Sequence, residues 1–184
     1  WAVIDFGILP LLFSVDASAV LTPTAVHPAD GQKKNAFVTD GLITGGDRSI
    51  TDVVIKDIRR GPNAGFERIV IELEGNLNGN PAPISRPPYY QVAVSPEERR
   101  LVVTIWGSPK LQFPPSRIHA AFKKSALVNN VELLPKIEDD LWTFVLNLRE
   151  GKSVEVFELT NPARVIVDIH KNLSLCWNIA GVPL

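Results

Sequence analysis

The sequence predicts an all-β protein: a small β-sandwich of two similar, internally repeated sheets with at most one short helix. Its apolar residues fall in short alternating segments, and 15 prolines and 12 glycines in 184 residues suit many turns. An internal repeat supports the same fold class. Residues Ser95–Ile105 read S-P-E-E-R-R-L-V-V-T-I and Leu159–Ile169 read L-T-N-P-A-R-V-I-V-D-I. In both, a proline-containing turn leads through a basic residue into a five-residue run that ends in Ile.

The repeat extends upstream of these two stretches. Ile69–Leu73 corresponds to Phe144–Leu148. Before each of these strands, two apolar residues lie three positions apart: Ile55 and Ile58 in the first copy, and Val128 and Val131 in the second. Two copies of a short all-β unit therefore form one domain. Matched apolar positions in the copies predict a matched core, and these positions are Leu101, Val103, Ile105, Val165, Val167 and Ile169.

Each predicted element follows from alternation bounded by turn residues. The strands are 53–58, 66–73, 89–94 and 100–106 in the first copy, and 126–134, 141–148, 154–159 and 164–170 in the second. Residues 75–88 are rich in Gly, Asn and Pro, which indicates a long loop. Two prolines and a serine open the one helix, predicted over 117–124. The run 165–167 is apolar on both faces, which indicates a central or doubly covered strand.

The ends of the chain lack the strand alternation of its middle. Residues 6–15 are mostly apolar and precede an Ala-Ser-Ala, which resembles a secretory-leader remnant over 1–19. A packed strand or loop of the mature protein is the alternative. Residues 20–50 show no periodicity and predict a linker or irregular arm, residues 51–171 form the sandwich, and 172–184 form a tail. A leader implies export.

Composition and motif searches argue against several classes of function. A net charge of -1 gives no overall field toward nucleic acid, and no apolar run is long enough to span a bilayer. Cys176 stands alone, which excludes an intramolecular disulfide and a multi-cysteine zinc site. His27, His119 and His170 lack metal-ligand spacing, and no nucleophile motif occurs. We therefore predict no enzyme activity, no catalytic residue, no metal and no cofactor.

Polar and aromatic residues on the solvent faces of the repeated strands form the candidate ligand site. The residues are Arg100, Trp106, Tyr89 and Tyr90 in the first copy and Arg164 and Asp168 in the second. An aromatic plane beside an Arg fork could hold an amino sugar that carries an acidic peptide. Alternatively, Arg164 and Asp168 neutralise each other along the strand, and Trp106 is a core anchor.

Two stretches resemble a known family. F-E-R-I-V-I-E-L-E-G at 66–75 and V-F-E-L-T-N-P-A-R-V-I-V-D-I at 156–169 resemble the AMIN domain, found in N-acetylmuramoyl-L-alanine amidases and type IV pilus secretins. The loop at 75–88 and the S-P-E-E at 95–98 depart from the family pattern. The resemblance implies a non-catalytic envelope-targeting module that binds peptidoglycan. Docking of an envelope or secretion protein, by strand addition at a sheet edge, is the alternative.

Overall fold

The protein is a sandwich of two β-sheets with one short helix among the residues that can be described, which confirms the predicted fold class. The structure is a computed structural model and describes residues 26–29, 31–134, 140–150 and 152–171. The predicted leader remnant at 1–19, the tail at 172–184 and Cys176 lie outside these ranges. No helix within them is long and apolar enough to cross a membrane.

Most strand bounds match the alternation in the sequence to within a few residues. The strands of the first part are β1 (Val26–Pro28), β2 (Gly41–Gly45), β3 (Val53–Pro62), β4 (Phe66–Leu77), β5 (Asn80–Ala82), β6 (Tyr90–Ser95), β7 (Arg100–Trp106) and β8 (Lys110–Leu111). Those of the second part are β9 (Val128–Leu133), β10 (Leu141–Leu148), β11 (Ser153–Leu159) and β12 (Ala163–His170). Helix α1 (Ser116–Phe122) lies between them, where the sequence predicts a helix over 117–124.

The strands divide between two sheets. Sheet A has the order β1-β2-β6-β7-β10-β9, and sheet B has the order β11-β12-β4-β3-β8 with β5 paired to β4. Pairing is antiparallel except for β1 with β2 and β3 with β8. As 165–167 predicts, β12 is central in sheet B, and its outward Ile166 is also buried.

The two sheets are similar because the copies of the repeat interleave. The first copy gives β3 and β4 to sheet B but β6 and β7 to sheet A, and the second gives β9 and β10 to sheet A but β11 and β12 to sheet B. If each strand is replaced by its equivalent in the other copy, the order β6-β7-β10-β9 of sheet A becomes β11-β12-β4-β3, which is the order in sheet B. A repeat unit is therefore not a sheet, since each sheet holds one hairpin from each copy.

Both copies contain a β-bulge at the same place. The register of β3 skips Lys56 and that of β9 skips Asn129, so two residues on each strand face one on its partner. The apolar residues that flank each bulge, three positions apart, therefore both point into the core and are at most 3% exposed. This accounts for the spacing at 55–58 and 128–131 that strict alternation does not explain.

The core lies between the sheets and contains the apolar positions that the repeat predicts. All six matched residues of β7 and β12 are completely buried. Ile118 and Phe122 of α1 join the same core, and the helix packs against β3 and β9, one strand from each sheet. At about 25 cal/mol per Å² of apolar area, this burial is the main term that stabilises the fold.

Residues 20–50 do not form only a linker or irregular arm, so that prediction needs correction. β2 pairs with β6 along its whole length and places Ile43 in the core. After β1, the chain leaves sheet A and reaches sheet B, where Val38 bridges Val154 of β11, before it returns as β2. We call residues 31–38 the clasp. The loop predicted over 75–88 also contains a short strand, β5.

Candidate functional site

Tyr89 and Trp106 meet on the outer face of sheet A. Trp106 ends β7, where alternation turns it away from the core, and its backbone N–H donates to the carbonyl oxygen of Tyr89 at 2.9 Å. The ring centroids are 5.1 Å apart and the ring planes are inclined by 54°. Both side chains are partly exposed. They offer a ligand an angled pair of apolar surfaces.

A turn from the N-terminal region adds a cation to this pair. The guanidinium carbon of Arg48 lies 3.8 Å from the centroid of the Tyr89 ring, within cation–π range. Asp47 bridges Pro88, and its carbonyl oxygen accepts from the Tyr89 N–H at 2.9 Å. Hydrogen bonds from Ser49 lower the pKa of Asp47 and close the turn. The backbone thus holds Arg48 over the aromatic pair, which sequence reasoning missed.

These side chains border a small open cleft. The aromatic cleft has a volume of about 180 Å³, and its described lining is Arg48, Ile50, Thr51, Tyr89, Trp106, Gly107, Ser108 and Asp140. The Ser108 N–H donates to the Asp140 carbonyl oxygen at 3.0 Å, which ties its two sides together. It combines ring faces, a guanidinium, a hydroxyl and a carboxylate. Such a lining suits a ring-shaped ligand with one apolar face and polar edges.

A row of polar side chains crosses sheet A beside the cleft. Thr44, Gln91, Thr104 and Thr143 are consecutive register partners on four strands, and all are partly exposed. The Thr143 hydroxyl donates to that of Thr104 at 3.0 Å, and the Gln91 amide donates to the Tyr89 hydroxyl at 2.8 Å. Neighbouring strands are about 4.8 Å apart, so the row extends the polar surface by roughly 14 Å.

Arg100, which the sequence places with Trp106, lies at the opposite end of β7. The two share the outer face, but six residues of extended strand separate them by roughly 20 Å. Arg100 is exposed and faces the carboxylate of Glu98 at 3.6 Å. The shared face was predicted correctly, whereas the proximity was not.

Tyr90 is a core residue, which corrects its assignment to the ligand site. It is 0% exposed, because it is the first residue of β6 and points inward. Its hydroxyl donates to Oε1 of Glu158 at 3.4 Å. Burial, and then the neighbouring carboxylate of Glu158, raise the pKa of the Tyr90 phenol well above its usual value. The phenol is therefore a neutral internal donor that no surface ligand can reach.

Arg164 and Asp168 belong to the other side of the molecule. They lie on the outer face of β12, in sheet B, so they cannot share a site with the aromatic cleft on sheet A. They do not pair with each other either. Arg68, the register partner of Asp168 on β4, donates to both of its carboxylate oxygens at 2.7 Å. Arg164 donates to the Pro162 carbonyl oxygen at 3.3 Å.

Asp168 is part of a buried carboxylate cluster that sequence reasoning did not assemble. Oxygen or nitrogen atoms of Glu155, Asp168 and His170 lie within 4.8 Å of one another, a set of types that can ligate metals. Lys33 Nζ lies 3.0 Å from Oδ2 of Asp168 and 3.3 Å from Oε2 of Glu155. Arg68 hydrogen-bonds to both oxygens of Asp168, and Lys33 lies within ion-pair distance of both carboxylates. Side chains therefore supply the positive charge that balances this cluster. The register of β11 with β12, invisible in the sequence, places Glu155 opposite Asp168.

Burial affects the titration of this cluster in two ways. Burial alone would raise the pKa of Asp168, but hydrogen bonds from Arg68 and Lys33 outweigh it and hold the pKa below its usual value. For His170, burial lowers the pKa and outweighs the nearby carboxylates. Asp168 is therefore ionised, and His170 is neutral, at physiological pH.

The two stretches that resemble the AMIN family lie side by side in sheet B. Residues 66–75 are in β4, and 156–169 span β11 and β12, with β12 paired to β4. The chain matches no protein-family model and no curated protein.

Proposed function

We propose that the protein is a non-catalytic binding module of the bacterial cell envelope that recognises peptidoglycan on the outer face of sheet A, at the aromatic cleft. The observation that carries this proposal is the partly exposed Tyr89–Trp106 pair, with the Arg48 guanidinium over the Tyr89 ring. The AMIN resemblance and the leader-like segment at 1–19 support the same location in the periplasm or envelope.

The chemistry of the cleft fits an amino sugar that carries an acidic peptide. The C–H face of a sugar ring can pack on Trp106 and Tyr89, and a carboxylate can accept from the guanidinium of Arg48. Sugar hydroxyls and acetamido groups can form hydrogen bonds with the polar row, whose members Gln91 and Thr104 lie two residues from Tyr89 and Trp106.

The described lining also favours binding over hydrolysis. It contains one carboxylate, Asp140, and no histidine or cysteine, whereas hydrolysis of a glycoside ordinarily uses two carboxylates and amide hydrolysis needs a nucleophile or metal-bound water.

Co-sedimentation with purified sacculi tests the proposal. Trp106→Ala and Arg48→Ala should each reduce the apparent affinity about tenfold, which corresponds to about 1.4 kcal/mol. The effect of Arg48→Ala should shrink as salt rises, because its contact is ionic. Phe37→Ala and Arg164→Ala are matched controls, since both residues lie on the side of sheet B. The proposal would be refuted if the wild-type chain did not co-sediment with sacculi at low salt, or if the control variants lost as much affinity as the cleft variants.

A further inference from the structure

The clasp is attached to sheet B through polar contacts. Lys33 Nζ lies 3.0 Å from Asp168 and 3.3 Å from Glu155, and the Asn35 N–H donates to Oε1 of Glu155 at 2.6 Å. Val38 forms two backbone hydrogen bonds of 2.8 Å with the free side of β11. The clasp thus pairs with the sheet edge through an isolated β-bridge at Val38 and places one cation over two carboxylates.

The surface beneath the clasp requires a cation. The side chains of Asp168 and Glu155 are at most 3% exposed. With the clasp in place, Arg68 hydrogen-bonds to both oxygens of Asp168 and Lys33 lies between Asp168 and Glu155, so a segment that covered these carboxylates without a cation would bury Glu155 unpaired. An unpaired buried carboxylate is strongly unfavourable. Any segment that replaces the clasp must therefore bring its own positive charge.

The clasp meets this requirement only in part. Oε2 of Glu155 is buried and accepts no hydrogen bond, although it lies within ion-pair distance of Lys33, and Nε2 of His170 is buried without a hydrogen-bond partner. A cleft of about 260 Å³ lies beside the clasp and β11, and it is also lined by His27 and Ile43 of sheet A. The planar fork of a guanidinium, with five donors, can reach a carboxylate oxygen that the single ammonium of Lys33 leaves without a hydrogen bond.

The clasp is also weakly held by apolar contact. Residues 31–37 are all exposed, and even Phe37, whose ring contacts that of His170 at 4.4 Å, is 50% exposed. Segments with few buried apolar contacts open locally at a small fraction of the global stability. Within the clasp, Val38 packs against the core, so opening the clasp removes this one apolar contact and leaves the rest of the core in place.

We propose that the groove formed by the β11 edge and the Asp168–Glu155 carboxylates docks an extended, positively charged peptide of a partner protein, and that the clasp is its built-in competitor. The partner adds along β11 where Val38 does, and an Arg or Lys side chain takes the place of Lys33. Two requirements define the ligand: an extended backbone at the edge and a cation directed at the carboxylates. This surface lies on the opposite side of the sandwich from the aromatic cleft.

A labelled synthetic peptide with the sequence of residues 31–40, G-Q-K-K-N-A-F-V-T-D, tests the proposal by fluorescence anisotropy. The full-length Lys33→Ala chain should bind it at least about tenfold more tightly than the wild-type chain, because its own clasp no longer competes. A peptide with Lys33→Arg should bind more tightly than the native sequence, since guanidinium supplies more donors. A peptide with Lys33→Ala should lose at least about tenfold in affinity.

Receptor variants separate docking from non-specific attraction. Adding Glu155→Gln to Lys33→Ala keeps the shape but removes one charge, and it should reduce peptide affinity at least about tenfold. Arg164→Ala, on the same outer face, should change affinity little. If Lys33→Ala misfolds by circular dichroism, Phe37→Ala weakens the clasp without altering its ion pairs and takes its place. Equal peptide binding by wild-type and clasp-weakened chains, or undiminished binding after Glu155→Gln, would overturn the proposal.

Discussion

Asp168 is a fully buried carboxylate that stays charged because its partners are fixed by the sheet. Arg68 stands directly opposite it on β4 and donates two bonds of 2.7 Å, and Lys33 adds a third contact. Charge-assisted bidentate bonds of this kind are among the strongest that a side chain forms. The Arg68 side chain is itself about one-third exposed, so its charge retains some contact with water. The pair therefore joins β4 to β12 without requiring two fully desolvated ions.

We predict that Asp168→Asn lowers the free energy of unfolding at pH 7 by about 2–3 kcal/mol, the loss expected for hydrogen bonds to charged groups. The folded-state pKa of Asp168 lies below its unfolded value, so this stabilisation is present above the unfolded pKa and is lost as pH falls through the folded pKa. Urea titrations at pH 7 and pH 3 should show the difference between variant and wild type shrinking. Glu98→Gln, which removes an exposed ion pair, should change stability by less than about 0.5 kcal/mol. A difference that is unchanged at pH 3 would contradict this account.

At the scale of elements, the paired bulges are the feature that most separates this chain from a regular sandwich. A bulge lets β3 and β9 keep apolar residues three positions apart on one face, and it increases the local twist of the strand. Its occurrence at equivalent positions in both copies indicates that the bend belongs to the repeat unit.

Deleting Asn129 should be tolerated, because the remaining sequence restores strict alternation between Val128 and Val131. We expect a cooperative fold and a loss of less than about 1 kcal/mol, close to that of a surface substitution. Deletion of Glu132 from the same strand is not compensated by a bulge. It turns Val131 or Leu133 away from the core, and we expect it to lower the free energy of unfolding by about 2–4 kcal/mol. The midpoints of urea unfolding of the two deletion variants measure this difference. Equal losses of stability would show that Asn129 is not the extra residue of a bulge.

Strand alternation predicted most elements correctly, but it could not assign them to sheets. β7 and β12 carry matching patterns and were expected to present one site, yet the interleaved copies place them in different sheets, so Arg164 and Asp168 are far from Trp106. β2 was missed because its five residues begin and end in glycine and carry too little pattern to detect. Tyr90 was misplaced because it was grouped with Tyr89, although neighbouring strand residues face opposite ways and Tyr90 alternates in step with the buried Val92 and Val94. Arg48 depends on the long-range bridge between Asp47 and Pro88, which no local pattern encodes.

For the whole molecule, interleaving means that neither copy holds a complete sheet. The first copy alone leaves β4 and β7 without their neighbours β12 and β10 and keeps only one half of the core. The second copy alone amounts to two two-stranded pieces, β9–β10 and β11–β12, which are marginal at best in water, whereas the first half of the chain keeps β1-β2-β6-β7 and β8-β3-β4-β5. The β4–β12 and β7–β10 pairings join the two copies in both sheets, so we expect folding to require both.

A chain divided between Lys123 and Lys124, two exposed residues at the end of α1, tests this dependence. Fragments 1–123 and 124–184 should each lack a near-ultraviolet circular dichroism signal and a cooperative thermal transition. An equimolar mixture should regain both, because the β7–β10 and β4–β12 pairings form between the fragments. Val103→Asp in the first fragment buries an unpaired charge at the centre of the core and should prevent recovery. A cooperative transition in one isolated fragment would show that a single copy is a folding unit, contrary to the interleaved arrangement.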